Sequence, residues 1–145
     1  MTDDEEVFDS PVGNVASHIR SYVETDGRVG HVHRGRNTLV MTTRGRRSGK
    51  ARRTALIYGR HGDGYVLVAS HAGSPGHPAW YLNLTANPEV DVQVGADRFT
   101  AMARTASAEE RASLWPVMVA AFHMFDRYQA RAAREIPVVI LQRTP

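Results

Sequence analysis

The stretch Thr42–Tyr58, TTRGRRSGKARRTALIY, most constrains the fold. It carries Arg44, Arg46, Arg47, Lys50, Arg52 and Arg53 and no acidic residue. These like charges repel one another, and a folded chain tolerates them best when something anionic lies between them. Apolar, strand-like segments flank the charges, Leu39-Val40-Met41 before and Ala55-Leu56-Ile57-Tyr58 after. The basic residues therefore form the connection between two strands. With Gly45 and Gly49 among them, the pattern reads as a backbone turn that cradles a phosphate-bearing ligand, with arginines closing over it.

The rest of the chain supplies elements around that turn. Residues 1–11 read as a disordered acidic arm that ends at Pro11, and residues 12–145 as a single domain. Val12, Val15, Ala16, Ile19, Tyr22 and Val23 fall at helical spacing, with Asn14 as a cap and Gly27 beyond the end. This helix packs on the domain, or it lies on a membrane surface or lids a pocket. Its mixed-sign polar face weighs against the membrane. Residues 27–37 read as a turn-rich connector. His31 and His33 within it share a face in an extended chain, but no third ligand is evident, so no metal is expected.

Thr38–Thr43 reads as strand one, Arg52–Arg60 as strand two and Tyr65–Ser70 as strand three, with His61-Gly62-Asp63-Gly64 as a hairpin turn. A small-residue loop over residues 71–77 leads to a helix that starts at Pro78 and ends before Asn87-Pro88. Val90, Val92 and Val94 alternate as strand four, and Phe99, Ala101 and Ala103 as strand five. Ser107 and Glu110 form a capping box. Pro116 predicts a break or kink near residues 112–116. Leu114, Met118, Phe122 and Phe125 then follow one helical face, and residues 136–141 read as strand six. The expected class is α+β, a small barrel of about six mostly antiparallel strands with helices packed outside.

Several chemistries are excluded. The chain has no cysteine, so disulfides, thiolate catalysis and cysteine-ligated metals are ruled out. No apolar run approaches a membrane span and no secretory signal is visible, so a cytoplasmic location is expected. The phrase GRRSGK is not a P-loop: Ala51 follows Lys50 and a strand follows where a helix is needed. No nucleophile–base–acid set shows a local motif. From the residues alone, three readings of the basic turn stay open: a phosphate-bearing small molecule, nucleic acid, or no ligand. An aromatic nucleic-acid-binding strand is missing.

Four phrases carry a family resemblance: TTRGRRSGKARRTALIYGR (42–60), VASHAGSPGHPAWYLNLTANPEVDVQVG (68–95), ASAEERASLWP (106–116) and YQARAAREIPVVIL (128–141). In order and spacing the chain resembles the deazaflavin-dependent nitroreductase family, which binds coenzyme F420. The resemblance implies a split β-barrel and a hydride transfer from reduced coenzyme F420 to a small electron-poor acceptor such as a quinone, enone or nitroaromatic. It implies that Arg46, Arg47, Lys50, Arg52 and Arg53 surround the coenzyme's phosphate and acidic tail. Thr54, Ala55 and Leu56 would line its ring system. Ala69, Ser70, His71, Ala72 and Gly73 would form the other wall, with Trp80 and Asn83 close by. Ser70 and Tyr128 are the candidate catalytic residues. Flavin mononucleotide is a substitute cofactor that split barrels hold in other families. A non-catalytic coenzyme carrier is the other functional reading. No nucleic-acid partner is expected, and the chain is a monomer or homodimer.

The chain departs from that family at the last helical segment. Nitroreductase-competent members carry tyrosines where this chain has Phe122 and Phe125, and only Tyr128 of the set is matched. Ile57 also stands where such members place a tyrosine. The implied acceptor pocket is more apolar and holds fewer hydroxyl donors.

Overall fold

The computed structural model describes residues 7–9 and 13–145. Nine strands form one sheet system among them: β1 (Val7–Asp9), β2 (Val32–His33), β3 (Arg36–Arg44), β4 (Ala51–Ile57), β5 (Gly59–His61), β6 (Gly64–Val68), β7 (Glu89–Val94), β8 (Asp97–Thr105) and β9 (Val138–Arg143). The helices are α1 (Gly13–Glu24), α2 (Ala79–Ala86), α3 (Ala108–Ala121) and α4 (Met124–Arg131). The strand order is β1-β4-β3-β7-β8-β9-β6-β5, with β2 paired to β3. Every pair is antiparallel except β1 with β4.

Period-two alternation closes this sheet on itself. Leu39 and Met41 of β3 share one buried cluster with Leu67 of β6, Val90 and Val92 of β7, Ala101 and Ala103 of β8, and Val139 and Leu141 of β9. Strands β3 and β6 are far apart in the sheet order, so a common core requires the sheet to curl. The opposite faces of β6 and β9 present Val66, Val68, Val138 and Ile140 to Leu114 and Met118 of α3 and Phe125 of α4. On a third side, Ile19 and Tyr22 of α1 pack against Val40. This is the split β-barrel with outer helices that the sequence predicts.

Helix α1 spends its apolar face inside the protein. Ile19 and Tyr22 are fully buried. The Tyr22 hydroxyl donates to the Thr38 carbonyl at 2.9 Å and accepts from the Gly95 N–H at 2.7 Å. Burial pushes the Tyr22 phenol above its ordinary pKa. At the helix end Gly27 takes φ +80, and a side chain there would meet the Gly95 Cα at 2.5 Å. No helix among the described residues is long and apolar enough to cross a membrane.

Four expectations change. Val7–Asp9 is a strand, because it finds an open edge on β4; the rest of the 1–11 arm, and the Asn14 side chain expected as a cap, lie outside the described residues. The predicted strand two divides at Tyr58 into β4 and β5, which pair with different neighbours. The turn-rich connector contains the short strand β2, which pairs with the start of β3. Pro116 does not break α3, which runs to Ala121. The carbonyl that Pro116 leaves without a donor belongs to Ala112, and both residues are exposed, which leaves that carbonyl on the solvent side of the helix rather than in the core. The helix stops at Phe122, in an extended conformation (φ −156, ψ 103).

Candidate active site

The β3–β4 connection is a tight loop. The Gly45 N–H donates to the Lys50 carbonyl at 2.8 Å, and the Gly49 N–H to the Gly45 carbonyl at 2.8 Å. Gly49 sits at φ +71, and a side chain on Gly45 would meet the Ser48 Oγ at 2.7 Å. Lys50 N–H donates to that Ser48 Oγ at 3.2 Å. The glycines thus fold the charged segment back on itself and leave Arg46 and Arg47 exposed at its tip. No salt bridge among the described residues involves either arginine.

Below this turn lies a cleft of about 980 Å³, at the upper end of the size range of small-molecule sites. Arg46, Arg47, Arg52 and Arg53 line its basic end. Thr54, Ala55, Leu56 and Ile57 of β4 form a wall. Strand β1 reaches only Arg53, and no described strand pairs with the outer edge of β4 beyond it. Among the described residues, the outward N–H and C=O groups of that edge therefore have no ladder partner, and the residues that carry them line the cleft. Ser70, His71 and Ala72 make the facing wall, with Trp80 and Asn83 of α2 alongside. Tyr128 lines the far end together with Phe122 and Phe125.

So the structure gathers most of the predicted site residues around one cavity. Three do not line it. Ala69 is fully buried as the last core position of its run. Gly73 is buried against the backbone of Tyr128. Lys50 sits on the returning arm of the turn, outside the cleft lining. Asn83 is 2% exposed, and its amide is already engaged: Oδ1 accepts from the Arg46 N–H, and Nδ2 donates to the Thr43 Oγ1 at 3.3 Å.

Other residues at the cleft are not among the predicted site residues, although a helix over residues 12–23 that lids a pocket is one expectation. Val15 and His18 of α1 line it, as do His33 and Arg34 of the β2–β3 hairpin. His33 stacks on His18 with ring centroids 4.0 Å apart. Burial, with the His18 and Arg34 charges adding to it, holds His33 below the ordinary histidine pKa. His31 instead meets the Tyr58 hydroxyl at 2.8 Å. No cluster of three metal-ligating side chains occurs among the described residues. Asp9 also lines the cleft and grips Arg53. His18 and His33 are remote in sequence, and only the packing of α1 on β3 and β4 brings them together.

At the far end of the cleft the aromatics pack edge to face. Phe122 and Phe125 have ring centroids 5.1 Å apart, and Phe122 and Tyr128 6.1 Å. The Arg36 guanidinium carbon lies 4.7 Å over the Phe122 ring. Among the described residues, no side-chain bond ties down the Ser70 hydroxyl, which stands just past the end of β6.

A basic tip, a strand edge left open among the described residues and an apolar end with two hydroxyls suit an anionic, ring-bearing coenzyme and a flat acceptor. Known proteins agree with that chemistry. The family described as F420H2-dependent quinone reductase matches residues 14–143. An F420H2-dependent quinone reductase of Mycobacterium tuberculosis is 39% identical over 130 residues, 87% of either chain. The solved structure of an F420-H2 dependent reductase is 39% identical, covers 72% of this chain and 93% of its own, and superposes with a TM-score of 0.67. A second structure, described as a domain-swapped dimer, is 34% identical, covers 92% of this chain and 100% of its own, and has a TM-score of 0.70. The family match spans nearly the whole fold and every cleft-lining residue except Asp9, and this chain belongs to the F420H2-dependent quinone reductases.

Proposed function

We propose that the cleft holds reduced coenzyme F420 with its anionic tail on Arg46, Arg47, Arg52 and Arg53 and its ring between β4 and the 70–72 wall. The observation that carries this reading is the outer edge of β4, where Thr54–Ile57 face the cavity beyond the last β1 pairing. Peptide N–H and C=O groups in a row match the polar rim of a planar heterocycle, and arginine forks match phosphate and carboxylate oxygens. When bound, the coenzyme supplies a hydride.

The chain's own residues then do three things. The arginines bind the tail and set its register. Phe122, Phe125 and Trp80 exclude water from the acceptor end and offer apolar faces to a quinone ring. Ser70 Oγ and Tyr128 Oη supply hydroxyl donors to an acceptor oxygen, which gains a proton as it is reduced. With phenylalanines beside Tyr128, a quinone suits this end better than a nitro group, which needs more donors as charge develops. The likeness to a domain-swapped dimer supports an assembly of two copies of this chain.

Coenzyme titration followed by an acceptor screen tests the reading. The protein should quench or shift deazaflavin fluorescence with micromolar affinity at low salt, and a quinone should oxidise the reduced coenzyme above background. Binding with no acceptor turnover would make the chain a carrier; no binding at all would sink the reading.

A further inference from the structure

The 70–72 wall is held in a shape its sequence does not favour. His71, Ala72 and Gly73 lie at φ +47, +53 and +78 in succession. Glycine takes the left-handed region freely, whereas histidine and alanine are strained there. The turn closes on two short bonds, the Gly73 N–H to the Ser70 carbonyl at 2.9 Å and the Ser74 N–H to the His71 carbonyl at 3.0 Å. Two such bonds in a partly exposed loop do not by themselves fix three left-handed residues.

One side chain spans the whole loop. Arg134, between α4 and β9, donates Nη2 to the Ser70 carbonyl at 3.0 Å and to the Ala69 carbonyl at 3.4 Å. Its Nε donates to the Ser74 carbonyl at 3.1 Å. Its Nη1 reaches His77 Nδ1 at 3.1 Å and the Ala69 carbonyl at 3.5 Å. Arginine only donates, so His77 Nδ1 is the unprotonated ring nitrogen. Arg131 adds a bond from Nη1 to the Ala72 carbonyl at 3.3 Å. No salt bridge among the described residues takes up Arg134. A planar fork that could have bound a carboxylate is directed instead at the backbone of residues 69–74 and at His77.

We propose that Arg134 is a positioning residue for the coenzyme: by clamping residues 69–77 it keeps Ser70 and the left-handed residues His71 and Ala72 in the wall that faces the ring. This rests on the reading of the cleft given above. Lysine cannot replace it, because one ammonium has no fork to bridge carbonyls at both ends of the loop.

The test uses R134K and R134M in the full chain, with three readouts: amide hydrogen exchange, fluorescence titration of coenzyme F420, and thermal unfolding. Exchange at residues 70–77 should speed by about tenfold or more in both variants while β6 and β9 stay protected. The coenzyme dissociation constant should rise by about tenfold, the equivalent of about 1.4 kcal/mol. The double variant R134K/A72G should regain part of the lost protection and affinity, since glycine holds φ near +53 without strain. A merely structural arginine would not be rescued that way. Wild-type exchange and affinity in folded R134M would overturn the proposal. So would an affinity loss with the loop still protected, loss of β6 and β9 protection in both variants, or the absence of rescue. Failure of the wild-type chain to bind coenzyme would refute the cleft reading and the coenzyme role together, and the exchange arms would still judge the clamp.

Discussion

One oxygen of Asn83 accepts twice from Arg46: Oδ1 lies 3.1 Å from the backbone nitrogen and 3.0 Å from Nη1. The same amide donates Nδ2 to the Thr43 hydroxyl at 3.3 Å. A residue that is 2% exposed thus fastens α2 to both the end of β3 and the tip of the basic turn. Asn83→Ala leaves the Arg46 N–H and the Thr43 hydroxyl without that partner. Stability should fall by about 1–3 kcal/mol, read by denaturant unfolding. Affinity for coenzyme should fall as well, because the turn loses its anchor.

Asp9 holds Arg53 in a bidentate pair, Nε to Oδ1 at 2.6 Å and Nη2 to Oδ2 at 3.1 Å. An anionic ligand in the cleft must share Arg53 with that carboxylate. Asp9→Asn removes the competing charge and keeps the side chain's size. Coenzyme affinity at low salt should rise about three- to tenfold, and the gain should vanish near 1 M salt, where the Debye length is about 3 Å. Stability should drop by about 1 kcal/mol or less, since both side chains are 24% exposed and solvent screens the pair. Weaker binding in Asp9→Asn would instead mean that Asp9 orients Arg53 for the ligand.

The start of α3 carries a pH dependence with a defined sign. Two bonds from Arg104, at 2.7 and 2.8 Å, and then the Ser107 backbone N–H hold the Glu110 carboxyl down to about 2 from its ordinary 4.5. A carboxyl depressed in the folded state binds fewer protons than in the unfolded one. Its stabilisation is therefore complete above pH 4.5 and is lost as pH falls from 4.5 towards 2. Glu110→Gln should flatten that limb by up to one proton in the slope of stability against pH, measured by urea unfolding across the window. Above the window the variant should be less stable and parallel to wild type.

The parts that were legible in the sequence are those set by local rules. Alternation placed β7 and β8, the Ser107 box placed the start of α3, and the charges of Arg44–Arg53 marked a turn whose glycines do close it. What stayed hidden depends on contacts distant in the chain. Val7–Asp9 becomes a strand because the edge of β4 is open there. His18 meets His33 because α1 lies across β3 and β4. Asn83, expected close to the coenzyme, lines the cleft and also braces Arg46, a contact no spacing rule could have shown. Pro116 reads as a breaker on propensity alone, and its tolerance fits its place on the exposed face of α3 with Ala112, which only the folded helix reveals.

Phe122 and Phe125 occupy the same cavity end but differ in environment, and this separates their roles. Phe125 is 5% exposed and packed among Val66, Val68 and Met118. Phe122 is half-buried, with one face under Arg36. A hydroxyl added to Phe125 enters an apolar core, where an unpaired donor costs about 1–3 kcal/mol. One added to Phe122 reaches solvent or the cleft, and stability should change by about 0.5 kcal/mol or less. Phe122→Tyr should therefore fold like wild type and add a donor beside Tyr128, raising the rate with nitroaromatic acceptors several-fold while quinone turnover stays within a factor of about two. Phe125→Tyr should lower the unfolding midpoint clearly. Steady-state oxidation of reduced coenzyme with both acceptor classes, run beside thermal unfolding, checks the pair. An unchanged nitroaromatic rate in folded Phe122→Tyr would show that the hydroxyl deficit at this end does not set acceptor choice.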